Sequence, residues 1–218
     1  MSTVVIVGGH GKVALRLAEA LTGRGHTVRS TIRNEAHGAD VEQVGAVPVL
    51  LDIEGSDAQG FAEVLRGADA VVFSAGAGGD GSIERKRTVD LGGSLKSIEA
   101  AGIAGVRRFV QVSAVGVDAP LPDDTDPVWR AYVEAKRDAD VALRGSDLDW
   151  TIVRPGRLTD DPATGLVQVG DSVPSGGIPR TDVAAVIAAV LEEDSTIGKQ
   201  FELIEGEQTI PGALASLT

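Results

Sequence analysis

The chain has 218 residues, 43% hydrophobic but only 3% aromatic, with a net charge of -12 and no cysteine. This supports a full core of Val, Leu, Ile and Ala. It excludes disulfides, thiolate metal sites and a cysteine nucleophile, and it fits a reducing cytoplasm. The acidic balance argues against nucleic acid, no apolar run is long enough for a bilayer, and His10, His26 and His37 lack metal-ligand spacing.

Strand and helix signals alternate along the chain. Thr3 to Val7 is a β-branched run that passes through Gly8-Gly9-His10-Gly11-Lys12-Val13-Ala14 into a helical pattern at Val13, Leu15, Leu17 and Leu21. A strand, a glycine turn and a helix N-terminus in that order make a phosphate site, because the helix end presents unpaired N–H groups. The spacing is G-x-x-G-x-x-A: Gly8 for the tight turn, Gly11 for backbone approach to a pyrophosphate, Ala14 for close helix packing. No G-K-[ST] follows, which excludes a P-loop.

His26 to Ile32 predicts a second strand, Ala39 to Val44 a short helix, and Val47 to Leu51 a third strand ending at Asp52. A helix over Phe61 to Leu65 precedes a fourth strand, Ala70 to Phe73, closed by the small residues Ser74 to Gly79. Ser82 to Ala101 predicts a long helix burying Val89, Leu91, Leu95 and Ile98, followed by a fifth strand from Arg107 to Val112. Asp126-Pro127 is an N-cap and first-turn proline for a helix to about Arg144. Trp150 to Val153, a helix from Thr181 to Leu191 and a final strand, Gln200 to Ile204, complete the pattern. Apolar strands alternating with helices predict a doubly wound parallel sheet, Rossmann-like, in three α/β/α layers and one domain. The segments 76–82, 116–127 and 155–179 read as loops at the strand ends where such sheets bind ligands, with 155–179 as substrate cover.

Arg33 follows the second strand, where an acidic residue selects NAD and an arginine accommodates the 2′-phosphate of NADP. Asp52 and Ile53, with Ser74, Ala75 and Gly76, are expected to flank the adenosine end. Tyr132 and Lys136 stand at i and i+4 on one helix face. A free tyrosine, with a pKa near ~10, transfers protons poorly at neutral pH; a neighbouring ammonium is expected to lower it, while Ser113 holds a carbonyl oxygen. In 155–179 Arg157 reads as isolated, as does Arg180 beyond it, so no charge cluster there marks an anionic ligand.

Gly8-x-x-Gly11-x-x-Ala14, Arg33, Asp52-Ile53, Ser74-Ala75-Gly76, Val89-Asp90, Phe109 to Ser113, Tyr132-x-x-x-Lys136 and Thr151 to Gly156 occur in order across nearly the whole chain. In these the chain resembles the short-chain dehydrogenase/reductase superfamily, specifically its atypical NAD(P)-binding branch of NmrA-like proteins and related epimerases. The resemblance implies bound NADP(H), with His10, Lys12 and Val13 joining the glycine turn and Pro155, Gly156, Arg157 and Leu158 bordering the nicotinamide. It implies Tyr132 as acid/base, Lys136 holding the ribose and Ser113 orienting substrate. Asp90 stands where the superfamily usually has asparagine. The stretch after Gly156 is shorter than in sugar-nucleotide epimerases, which implies a smaller substrate.

The leading expectation is an NADP-dependent oxidoreductase acting on a small carbonyl or alcohol. The alternatives are a non-catalytic NADP(H)-binding redox sensor and an epimerase using transient oxidation. No metal, nucleic acid or membrane partner is expected; pairing of two copies through the long helices is left open.

Overall fold

The computed structural model describes residues 1–78 and 81–217. Gly79, expected in the turn after the fourth strand, lies outside the described residues. The first half runs β1 (Thr3–Val7), α1 (Lys12–Gly23), β2 (Thr27–Ile32), α2 (Gly38–Gln43), β3 (Val47–Leu50), α3 (Ala58–Leu65) and β4 (Ala70–Phe73). Then come α4 (Ile83–Arg85), a π-helical turn (Lys86–Leu91), α5 (Gly92–Ala104), β5 (Arg108–Val112), α6 (Pro127–Arg144) and β6 (Asp149–Pro155). The remainder is β7 (Arg157–Thr159), β8 (Leu166–Gly170), β9 (Gly177–Pro179), α7 (Arg180–Glu192), β10 (Lys199–Glu205), β11 (Gln208–Thr209) and α8 (Ile210–Ala215).

The main sheet has nine strands in the order β11-β8-β10-β6-β5-β4-β1-β2-β3. From β3 to β10 every neighbouring pair is parallel. Strand residues alternate between two cores. Val4, Ile6, Val72 and Val110 pack against Leu17, Leu21 and Ile187 of α1 and α7. Val5, Val7, Val71 and Phe109 face Phe61, Leu65 and Ala101 of α3 and α5, and Leu143 of α6. This is a Rossmann-like α/β/α sandwich. The chain leaves β1 towards β2 and β3, then returns to place β4 on the other side of β1, opening a crevice at the carboxyl ends of β1 and β4.

The sheet departs from the all-parallel expectation at one edge, where β8 runs antiparallel to both β10 and β11. The segment 155–179, read as loop, holds three strands, and Gln200 to Ile204 is not the final strand. β7 and β9 form a small parallel sheet of their own. Their spacing needs glycine: a Cβ on Gly156 would lie 2.5 Å from the Gly176 oxygen. These strands are short, and none carries the continuous apolar run that marks the central ones.

The long helix also differs. Ser82 Oγ caps it by accepting from Arg85 N, and it continues to Ala104, where Gly105 ends it at φ 73°. The π turn inserts one residue into the helical repeat, rotating every later side chain by about 100°. The buried face therefore passes from Val89 to Gly93, Ser94, Ser97 and Ala101, and leaves Leu95 42% exposed; Leu91 and Ile98 are only partly buried. The small residues are required, since a Cβ on Gly93 would stand 2.7 Å from Ile53 Cγ2. Among the described residues no helix is long and apolar enough to cross a membrane.

Candidate active site

β1 is buried to its end, and Gly8 turns the chain at φ +84°. A side chain there would need positive φ and would bring its Cβ within 2.6 Å of Ala75 Cα. Gly8 N donates to Thr31 Oγ1 at 3.1 Å and Gly9 N to Thr31 O at 2.8 Å, which pins the turn to β2. Gly11 is the N-cap of α1, and no side chain caps the helix. The first-turn N–H groups are thus left for an anion.

A cavity of about 380 Å³ opens on this turn. Gly8, His10, Gly11, Arg33, Asp52, Ile53, Ser74, Ala75 and Gly76 all line it. Arg33 is exposed at its edge. Asp52 turns its Oδ1 onto Glu54 N at 3.0 Å. His10 stacks on His37 with ring centres 3.7 Å apart, and its Nε2 lies 2.7 Å from Asp40 Oδ2.

A second cavity, about 730 Å³, shares Gly11, Ser74, Ala75, Gly76 and Gly78 with the first. Lys12, Val13, Asp90, Ser113, Tyr132 and Lys136 line it, with Pro155, Gly156, Arg157 and Leu158 beside β7. The two cavities and the uncapped helix between them are shaped for a dinucleotide laid across the crevice.

Asp126 caps α6 by accepting from Val128 N and Trp129 N at 3.0 and 2.9 Å. This aims Tyr132 and Lys136 from one helix face into the larger cavity. Lys136 Nζ donates to Val112 O at 3.0 Å and stands 4.0 Å from Asp90 Oδ1. Asp90 Oδ2 accepts from Ala77 N at 2.9 Å, so this carboxylate holds both the ammonium and the small-residue loop after β4. Lys86 stands over the Tyr132 ring at 5.2 Å, and the Trp129 ring is 5.1 Å away.

The expected lowering of the Tyr132 pKa is not found. Burial, helped by the charges of Asp90 and Asp140, pushes the hydroxyl up to about 12. Burial also pushes the Lys136 ammonium down, against the pull of the same two carboxylates. Ser113 differs too: its Oγ donates to Asp140 Oδ2 at 2.8 Å, so towards the cavity its oxygen is an acceptor and not the donor expected for a carbonyl.

Asp140 was not anticipated. Fully buried, it also accepts from Gln111 Nε2 at 2.7 Å and from Arg154 Nε at 2.9 Å. Ser94 Oγ donates to Gln111 Oε1 at 2.6 Å. One signal for it was present: Tyr132, Lys136 and Asp140 succeed one another every four residues on one face. The reading of Arg180 as isolated is also corrected. Its Nη1 lies 3.0 Å from Asp160 Oδ1, while Lys12 Nζ lies 2.7 Å from Asp160 Oδ2.

A family profile described as NAD(P)H-binding matches residues 8–194. The chain belongs to the NAD(P)H-binding family of atypical short-chain dehydrogenases/reductases. Within this family it is 38% identical to the uncharacterized sugar epimerase YhfK of Bacillus subtilis, over 98% of this chain and 99% of that protein. It is 37% identical to a solved Bacillus halodurans structure whose name places it with NAD-dependent epimerases/dehydratases, with a TM-score of 0.92 and 100% of both chains covered. The anaerobillin reductase ChuY of Escherichia coli O157:H7 is 26% identical with a TM-score of 0.79, covering 95% of this chain and 99% of that one. Proteins similar to this chain thus carry names from both epimerase and reductase chemistry, and the family whose profile matches is NAD(P)H-binding.

Proposed function

We propose that the protein is an NADP(H)-dependent oxidoreductase that reduces a small carbonyl substrate. The supporting observation is that Tyr132, Lys136 and the glycine turn face one 730 Å³ cavity continuous with the Arg33 pocket. The bound nicotinamide ring supplies the hydride. The backbone N–H groups of Lys12 and Val13, beside Gly11, hold the phosphates, and Arg33 takes the 2′-phosphate that separates NADP from NAD. Lys136, fixed by Val112 O and Asp90, presents a buried ammonium at the ribose end.

Tyr132 donates the proton to the substrate oxygen. A hydroxyl with a pKa near 12 is fully protonated at neutral pH. It is still far more acidic than the alcohol that reduction creates, so donation runs downhill and abstraction from an alcohol runs uphill. Ser113, whose Oγ donates to Asp140 Oδ2, borders the cavity beside Tyr132. The test is NADPH consumption with a panel of aldehydes and ketones, comparing wild type with Tyr132→Phe. Loss of turnover with retained NADPH binding supports the assignment. Equal turnover by both proteins removes Tyr132 from the chemistry.

A further inference from the structure

The net charge of the chain is -12, yet cations dominate the wall of the larger cavity. Asp90 and Asp126 are its carboxylates, and both are committed, to Ala77 N and Lys136 and to the α6 cap respectively. Lys12, Arg157 and Arg180 line it as well. Two of these, Lys12 and Arg180, meet on Asp160, as does Arg16, whose Nη2 lies 3.5 Å from Oδ1. Asp160 comes from the segment that follows β7, while its partners come from the first two turns of α1 and the first residue of α7. Three cations drawn from two helix starts thus converge on one half-exposed carboxylate at the rim of the cavity that holds Tyr132.

From this convergence we propose that Lys12, Arg16 and Arg180 form a subsite for an acidic group of the substrate, a carboxylate or phosphate, and that Asp160 occupies it until substrate displaces it. The inference rests on the reductase reading for the word substrate, but anion binding can be measured without turnover. Charge balance favours displacement: an entering anion replaces one carboxylate by another, so the three cations are never left without a counter-charge. The hydrogen bond from Lys12 holds the Asp160 carboxyl below the ordinary carboxylate range, in keeping with a site for a negative oxygen. Trp129, 54% exposed at the same cavity, offers an apolar face for the body of the ligand. The substrate class is therefore an organic acid with a flat apolar portion beside its reducible carbonyl.

The test is calorimetric titration of the full chain, with and without NADPH, using naphthoate and its uncharged twin naphthamide as probes. Naphthoate is expected to bind wild type about tenfold tighter than naphthamide. Asp160→Asn, which frees the cations, should tighten naphthoate roughly threefold to tenfold and leave naphthamide unchanged; Arg180→Met should erase the preference. Equal binding of the two probes, no binding of either, or an Asp160→Asn effect confined to NADPH overturns the proposal. The last result would assign the cations to the cofactor's own phosphates. Failure of NADPH to bind while the naphthoate preference persists overturns the reductase reading and leaves the anion subsite standing.

Discussion

Arg154 grips Asp140 inside the molecule. Its Nε donates to Oδ2 at 2.9 Å and its Nη2 lies 2.8 Å from the same oxygen, with the Arg154 side chain 4% exposed and Asp140 0%. Asp140 then fixes Ser113 and Gln111, so the end of β5, the face of α6 and the end of β6 are tied at one carboxylate.

Removing Arg154 leaves that carboxylate buried without its cation. Arg154→Met should cost about 3–5 kcal/mol, the usual penalty for breaking a buried pair by deleting one partner. Urea unfolding measures it. A loss no larger than that of a surface substitution would show that Asp140 relaxes towards water.

Tyr132→Phe should lower the rate of NADPH-driven carbonyl reduction by about 10²–10⁴-fold, the range for a positioned acid. NADPH affinity should stay within about twofold, because a hydroxyl that supplies a proton late contributes little to ground-state binding.

The same hydroxyl sets a stability trend at high pH. Its folded pKa, near 12, is raised above the ordinary 10.0. The folded state therefore holds the proton that the unfolded state releases, and this stabilisation is complete below pH 10.0 and lost as pH rises towards 12. Thermal unfolding across that window should show a steeper decline for wild type than for Tyr132→Phe. Parallel curves would mean that burial does not hold the phenol neutral.

Gly8 and Gly11 should separate fold from binding. Gly8→Ala places a side chain at φ +84° and 2.6 Å from the Ala75 backbone; left-handed strain alone costs about 1–2 kcal/mol, so stability falls together with NADPH binding. Gly11 has φ -61°, and a Cβ there would meet Gly8 O at 3.3 Å, with Ala14 Cβ and Ser74 O at an ordinary 3.9 Å. Gly11→Ala should melt near wild type but bind NADPH at least about tenfold more weakly, since the added methyl lies on the wall of both cavities.

Arg33→Gln should weaken NADPH about tenfold and leave NADH unchanged if the exposed guanidinium faces a 2′-phosphate. Equal changes in both affinities would remove Arg33 as the selector. Calorimetry with the two cofactors measures both numbers.

Much of this was legible in the chain. β1, β4 and α6 announce themselves through local chemistry: β-branched runs closed by small residues, and an Asp-Pro pair whose carboxylate caps its own helix. The glycine turn is legible for the same reason, as Gly8 needs its positive φ wherever the rest of the chain lies. Tyr132 and Lys136 share a face because four residues nearly complete one helical turn.

The buried stripe of α5 was not legible, because one π turn shifts the phase of every residue after it and composition does not mark where that turn falls. The strands of 155–179 were hidden because their pairing partners supply the order that their own short segments do not. The sequence by itself determined the parallel core, the glycine turn and the Tyr132–Lys136 face, since each is specified by neighbours a few residues apart. Only the tertiary structure decided that Ser113 answers to Asp140 and Arg154, and that Lys12 closes on Asp160 across 148 residues, with Arg180 on the same carboxylate. Such contacts exist once the sheet has brought distant strand ends to one edge, and they leave no periodicity to read beforehand.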